Sequence, residues 1–225
     1  IEARLYAEDP RHDYRPAAGL LHRMRLAAPD VRVDAAFDES GTVSPYYDSL
    51  LAKVIVHAPT RAEAARRLSR ALARAQIHGL RTNRELLVRI LDHPDFLAGK
   101  TDTHFLTRHD PAALAAPLGD ASVAALAMQA ERRRDAAVLR HAPSGYRNNP
   151  PERQQVRFQG TEGEIDVAYQ FSRGRLYLRV DEQDHADVGF EPRSPEEFRV
   201  RFDNVGRTYN VHSVDDTIYV DSLLG

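Results

Sequence analysis

The sequence predicts an α+β protein in two parts: an antiparallel sheet with packed helices, then a helix followed by an antiparallel β-barrel. Three observations carry this. The opening residues alternate strictly, with Ile1, Ala3, Leu5 and Ala7 on one side and Glu2, Arg4 and Tyr6 on the other. That is the pattern of a strand with one buried face. Between Thr60 and Asp92, apolar residues recur at helical spacing. After Pro151 the period becomes two, in short runs separated by turn residues, as in an antiparallel sheet or barrel.

The first part reads as strands over Ile1–Ala7, Leu20–Leu26, Val31–Ala36 and Leu50–His57, punctuated by Pro10, Pro16, Gly19, Pro29, Gly41 and Pro45. Val54, Ile55 and Val56 suit a buried strand. Thr60 is a good helix N-cap, and Glu63 completes a capping box. Ala64, Leu68, Ala71, Leu72 and Ala75 form one apolar stripe, with the arginines of this helix largely off it. Gly79 fits just past the helix end. A second helix starts near Thr82–Glu85, buries Leu86, Leu87, Ile90 and Leu91, and stops before Pro94.

Composition then changes. A first domain over 1–108 is followed by a connector, 109–119, rich in alanine and proline, and by a second domain over 120–225. Asp120 caps a helix in which Val123, Leu126, Ala127 and Ala130 recur at helical spacing, running to about Arg140. The segment His141–Pro151 holds three prolines and cannot continue it. The predicted barrel strands are Gln155–Gln159, Glu164–Phe171, Arg175–Asp181, Phe198–Phe202, Thr208–Ser213 and Thr217–Asp221. A helix inside a barrel is apolar all round, so the charges of Glu131–Asp135 belong beyond the barrel rim or against a partner.

With 225 residues, the chain is long enough for one large or two small domains. Its 31 basic and 33 acidic residues leave a net charge of −2, so no global field recruits nucleic acid or an anionic membrane. The absence of cysteine excludes disulfides and thiolate metal sites. No apolar run approaches the ~20 residues needed to cross a bilayer. The ten histidines show no metal-ligand spacing, so no metal site is expected. No glycine-rich phosphate loop is present. The first residue is Ile1, on a strand, and the expectation is that the chain starts inside a folded unit.

Several segments, in order, carry a resemblance. They are Ile1–Pro10, Pro45-Tyr-Tyr-Asp-Ser-Leu-Leu-Ala-Lys-Val-Ile-Val56, Thr60–Glu63, Ile77-His-Gly-Leu-Arg-Thr-Asn83, Asp92-His-Pro-Asp-Phe96 and Thr101-Asp-Thr-His-Phe-Leu106. Together they resemble the C-terminal part of the biotin carboxylase domain of biotin-dependent acyl-CoA carboxylases. The helix, irregular loop and short strands that follow resemble the BT domain of propionyl- and methylcrotonyl-CoA carboxylase alpha subunits. In such subunits a barrel surrounds its own helix, and the loop, called the hook, docks on the carboxyltransferase subunit.

The resemblance implies roles. Arg4 matches the family arginine beside the reacting biotin. Deprotonating the ureido nitrogen puts negative charge on its oxygen, and a guanidinium stays cationic while offering paired donors to it. Glu2 and Tyr6 share its strand face and can orient it. The alternative is a surface arginine paired with Glu2. Tyr47 and Asp48 can shape the biotin pocket, although core and turn roles are the simpler reading for Tyr46, Tyr47, Asp48 and Lys53. Arg32 falls where the family places the carboxylase dimer interface, or is an ordinary solvated arginine. Tyr146 and Arg147 are hook anchors, or a loop tip folded back on the barrel.

The resemblance also implies biotin on a carrier domain absent from this chain, and ATP, Mg and bicarbonate bound by an absent upstream part. The biotin attachment motif Ala-Met-Lys-Met is not in the sequence. Implied partners are a carboxyltransferase beta subunit, a second biotin carboxylase subunit and the biotin carrier domain, with neither nucleic acid nor membrane. The parent is expected to be a ligase of fatty-acid or branched-chain amino-acid metabolism in bacterial cytoplasm, with the isolated segment inactive. The alternative is a free-standing scaffold derived from a carboxylase. A pyruvate- or urea-carboxylase type is disfavoured, because those continue differently after this segment.

Overall fold

The computed structural model describes residues 1–26, 28–109, 123–128, 130, 153–160, 163–172, 175–202 and 205–222. The described residues fall into two compact units, one on each side of the boundary between 116 and 117.

In the first unit, β1 (Glu2–Tyr6) is followed by the short strands β2 (Glu8–Asp9), β3 (Arg15–Pro16), β4 (Gly19–Leu20) and β5 (Arg23–Arg25). Then come β6 (Val31–Ala35), β7 (Thr42–Val43) and β8 (Leu50–Val56). The helices α1 (Arg61–Ala73) and α2 (Arg84–Asp92) flank β9 (Gln76–His78), and two single turns follow, α3 (Pro94–Leu97) and α4 (Phe105–Arg108). The central sheet has the order β1-β8-β6, all antiparallel. Small two-stranded ladders pair β2 with β3, β4 with β7, and β5 with β9.

The alternation of β1 is the reason for its position. Ala3, Leu5 and Ala7 are buried. Ala3 joins Val54, Val56 and the α1 residues Ala64, Ala65, Leu68 and Leu72 in one core. Leu5, Ala7, Leu21, Val43 and Leu51 make a second. Thr60 caps α1 by accepting from the Glu63 N–H at 3.2 Å. Glu63, expected to complete a capping box, takes Arg67 at 2.6 Å, a favourable i,i+4 pair.

Gly79 has a different task from the one expected. Arg74 ends α1, and β9 intervenes before Gly79. Gly79 has φ +110°, and a Cβ there would lie 2.1 Å from the Leu20 carbonyl oxygen. It is a close backbone approach beside the β5–β9 ladder, which only glycine permits.

In the second unit, residues 123–128 and 130 are helical. Five successive residues, Val123 to Ala127, are buried, so the helix is covered on every side. The cover is a seven-stranded antiparallel meander: β10 (Gln154–Gln159), β11 (Glu164–Ser172), β12 (Arg175–Val180), β13 (Gln183–Pro192), β14 (Glu197–Phe202), β15 (Val205–Val214) and β16 (Thr217–Asp221). Each strand pairs with its sequence neighbour, and β10 and β16 are the sheet edges. Val167, Tyr169, Leu176, Leu178, Val180, Phe198, Val200, Tyr209 and Val211 close on Val123, Ala125, Leu126 and Ala127 in one core. The barrel expectation is thus met as a sheet curled round a helix. The charged segment 131–135 and the expected hook, 141–151, lie outside the described residues.

Candidate functional site

Register assembles the candidate site. β8 lies between β1 and β6, pairing Glu2 and Arg32 with Ile55, and Arg4 and Asp34 with Lys53. Residues directly opposite in an antiparallel pair share a face, about 4.5–5.5 Å apart at Cβ. The face that turns away from the helices therefore carries Arg4, Lys53 and Asp34 in one row, beside Glu2, Ile55 and Arg32.

Arg4 and Lys53 are like charges side by side, which is unfavourable unless each has a counter-charge. Each does. Arg4 Nε donates to Glu2 at 3.2 Å, and the Arg4 side chain is 62% exposed. Lys53 Nζ lies 3.3 Å from Asp34. Asp34 also accepts two bonds from Arg32, at 2.9 and 3.1 Å. Hydrogen bonds to Glu2 and then Tyr6 hold the Arg4 guanidinium above its already high ordinary value. The Asp34 carboxyl is held below its ordinary value, first by Arg32 and then by Lys53.

A buried side chain fixes the backbone under Arg4. Asn83 Nδ2 donates to the Arg4 carbonyl at 3.2 Å, and its Oδ1 accepts the Tyr6 N–H at 2.9 Å. Its own N–H donates to the Tyr6 carbonyl at 3.1 Å. Asn83 stands at the N-cap position of α2 but makes no cap bond with its side chain; the side chain is committed to β1. Sequence reading placed Asn83 in a motif without a role.

Tyr46 and Tyr47 correct the core expectation, being 95% and 87% exposed. They lie on the turn before β8, where no element covers them among the described residues of this unit. Asp48 does take the turn role: its Oδ1 accepts the Leu50 N–H at 3.0 Å. Tyr6 pairs with Leu50, so this turn sits at the Tyr6 end of the Arg4 strand. Lys53, also read as a core candidate, belongs to the outer row. Arg32 is exposed and paired with Asp34. Tyr146 and Arg147 lie outside the described residues.

Sequence spacing also gave no sign of a cluster that the fold assembles elsewhere. His93, Asp95 and His109 have ligand-type atoms all within 4.8 Å of one another. The signal was hidden because His109 lies far along the chain and is returned to His93 by the turns α3 and α4.

Comparison with known proteins gives two adjoining matches. Residues 2–108 match the biotin carboxylase C-terminal domain. Residues 117–224 match the BT domain of the methylcrotonyl-CoA carboxylase alpha subunit. The chain is 43% identical over 110 residues to a biotin carboxylase of Halalkalibacterium halodurans, covering 48% of this chain and 24% of that protein. It is 33% identical over 186 residues to the mitochondrial methylcrotonoyl-CoA carboxylase subunit alpha of Dictyostelium discoideum, covering 77% of this chain and 27% of that protein. The chain thus spans about a quarter of the length of these relatives.

Among solved structures, a pyruvate carboxylase of Rhizobium etli with the allosteric activator acetyl coenzyme-A superposes with a TM-score of 0.52 at 29% identity, over 60% of this chain and 13% of that one. The biotin carboxylase domain of a thermophilic 2-oxoglutarate carboxylase bound to ADP gives 0.50 at 36% identity, over 52% of this chain and 26% of that one.

Proposed function

We propose, for a chain that carries a biotin carboxylase C-terminal domain joined to a BT domain of the methylcrotonyl-CoA carboxylase alpha type, that it is part of the biotin carboxylase subunit of an acyl-CoA carboxylase. The parent carboxylates biotin with ATP and bicarbonate, and a carboxyltransferase beta subunit passes the carboxyl group to an acyl-CoA. The observation that carries this reading is the likeness to one alpha subunit through both domains, over 77% of the chain.

Within that reading the outer face of β1 contributes to the biotin site. Arg4 presents an exposed cation on a strand whose backbone Asn83 holds. A fixed guanidinium suits the charge that develops on the ureido oxygen, because a preorganised donor needs no reorganisation during reaction. Glu2 and Tyr6 orient it. Tyr47, with its turn tied by Asp48, borders the pocket. Arg32, locked to Asp34, faces a second biotin carboxylase subunit. Biotin arrives on the carrier domain, while ATP, Mg and bicarbonate bind the upstream part of the parent.

The second unit is the docking module. His141–Pro151 is the hook, with Tyr146 and Arg147 as anchors. Its prolines lower the entropy lost on docking, and tyrosine and arginine are the residue types that dominate binding energy. Co-purification of the parent with its beta subunit tests this. Tyr146→Ala with Arg147→Ala is expected to weaken association by about 2–4 kcal/mol while leaving the melting temperature of the chain unchanged. Wild-type association by the double variant contradicts the hook assignment.

A further inference from the structure

We propose that His93, Asp95 and His109 form a binding site for a divalent first-row transition metal, Zn²⁺ being the best fit. The site lies in the first unit, among residues separate from the Arg4 face. Three observations carry it.

The first is convergence of ligand types. Two imidazoles and one carboxylate bring atoms within 4.8 Å of one another. His109 Nε2 lies 3.3 Å from Asp95 Oδ2, and the His93 and His109 ring centroids are 4.1 Å apart. Ligand atoms on a tetrahedral Zn²⁺ with bonds of about 2.0–2.2 Å sit closer together than 4.8 Å. Binding therefore requires the three ligand atoms to draw together.

The second is an unsatisfied atom. His109 Nε2 is shut off from solvent and makes no hydrogen bond, although Asp95 is its neighbour. A buried ring nitrogen that faces a carboxylate without a hydrogen bond between them is under-satisfied, and a metal held by both supplies a proper bond to each. The same contact explains why a carboxylate is tolerated there.

The third is the wall. Phe105 packs edge-on to His93 at 5.4 Å and against His109 at 4.8 Å. Phe96 lies beside Phe105. Arg61 donates to the Phe96 carbonyl at 2.8 Å and stacks on its ring at 4.4 Å, pinning α3 to the start of α1. The ligands therefore stand on a braced aromatic support, of the kind that restricts solvent access at metal sites.

Donor chemistry selects the ion. Imidazole with carboxylate suits Zn²⁺ and its neighbours, whereas Mg²⁺ and Ca²⁺ require mostly oxygen. Three protein ligands leave a fourth position for water. His93 Nδ1 accepts the Asp95 N–H at 3.2 Å, so loading through Nδ1 exchanges this long hydrogen bond for a metal bond. The bound ion clasps the C-terminal end of α4, at His109, to the start of α3, at His93.

The full chain, stripped with a chelator and titrated with ZnCl2, tests this by calorimetry and thermal melting. We expect saturable uptake of one ion with a rise in melting temperature. His109→Asn and His93→Asn are each expected to lower affinity at least about tenfold. Asparagine at 93 retains an N-cap for α3, so that variant folds. Co²⁺ in place of Zn²⁺ gives an independent readout, through the absorption bands of a four-coordinate ion that vanish in both variants. Failure of the wild-type chain to take up Zn²⁺ at micromolar concentration overturns the proposal, as does uptake unchanged by both substitutions.

Discussion

Asn83 clamps the strand that presents Arg4: its side-chain amide donates to the Arg4 carbonyl at 3.2 Å while its Oδ1 takes the Tyr6 N–H at 2.9 Å. Asn83 is 8% exposed, so these bonds are made away from solvent, where an unmade bond is most costly. Asn83→Ala is expected to destabilise the first unit by about 2–3 kcal/mol, read by denaturant unfolding of the chain. A midpoint unchanged from wild type contradicts the clamp. In the parent, the variant also misplaces Arg4, lowering carboxylation by more than the loss of folded protein explains.

Leu126 tests the second unit. It is fully buried, on a helix enclosed by the curled sheet. Leu126→Ala removes a side chain from the middle of that core and is expected to cost about 2–5 kcal/mol. Circular dichroism and thermal melting check this. A helix lying on the surface of its sheet would give a far smaller loss.

Asp9 links the first unit to pH. Burial on its own raises the Asp9 carboxyl. His12 Nδ1 at 2.9 Å, the Arg11 N–H at 3.0 Å and Arg81 at 3.3 Å outweigh it and hold the carboxyl below its ordinary value. A carboxyl lowered on folding stabilises the folded state above its unfolded pKa, and that stability is lost as pH falls through the folded value. The wild-type advantage over Asp9→Asn is therefore expected to be full at neutral pH and to shrink below about pH 4. An advantage independent of pH contradicts this assignment.

Much of this was legible in the sequence, for local reasons. Helix α1 announces itself through Thr60 and the Ala64–Leu68–Ala71–Leu72–Ala75 stripe, all of it buried. The polar face of β1 follows from alternation alone. What was not legible depends on non-local pairing. Nothing local places β8 between β1 and β6, so the row Arg4–Lys53–Asp34 appears only with the register. Strand β13 escaped because Gln183-Asp-His-Ala-Asp187 is polar and Gly189 lies within it, and its ladder with β12 shifts register between Leu176 and Leu178. Tyr46 and Tyr47 sit in a motif that reads as core or turn; the turn holds, and both rings face solvent. Gly79 marks a close backbone approach to Leu20, a contact that no helix-stop signal encodes.

The most direct test of the functional account is Arg4→Ala in the full-length parent. Arg4 is exposed and ion-paired with Glu2, so the melting temperature is expected to stay at the wild-type value. Biotin carboxylation, followed as labelled bicarbonate fixed per unit time, is expected to fall by about 10²–10³-fold, the usual effect of removing one preorganised donor from a developing oxyanion. ATP turnover without biotin is expected to change far less. A variant that carboxylates biotin at the wild-type rate contradicts the account and returns Arg4 to the role of a surface residue paired with Glu2.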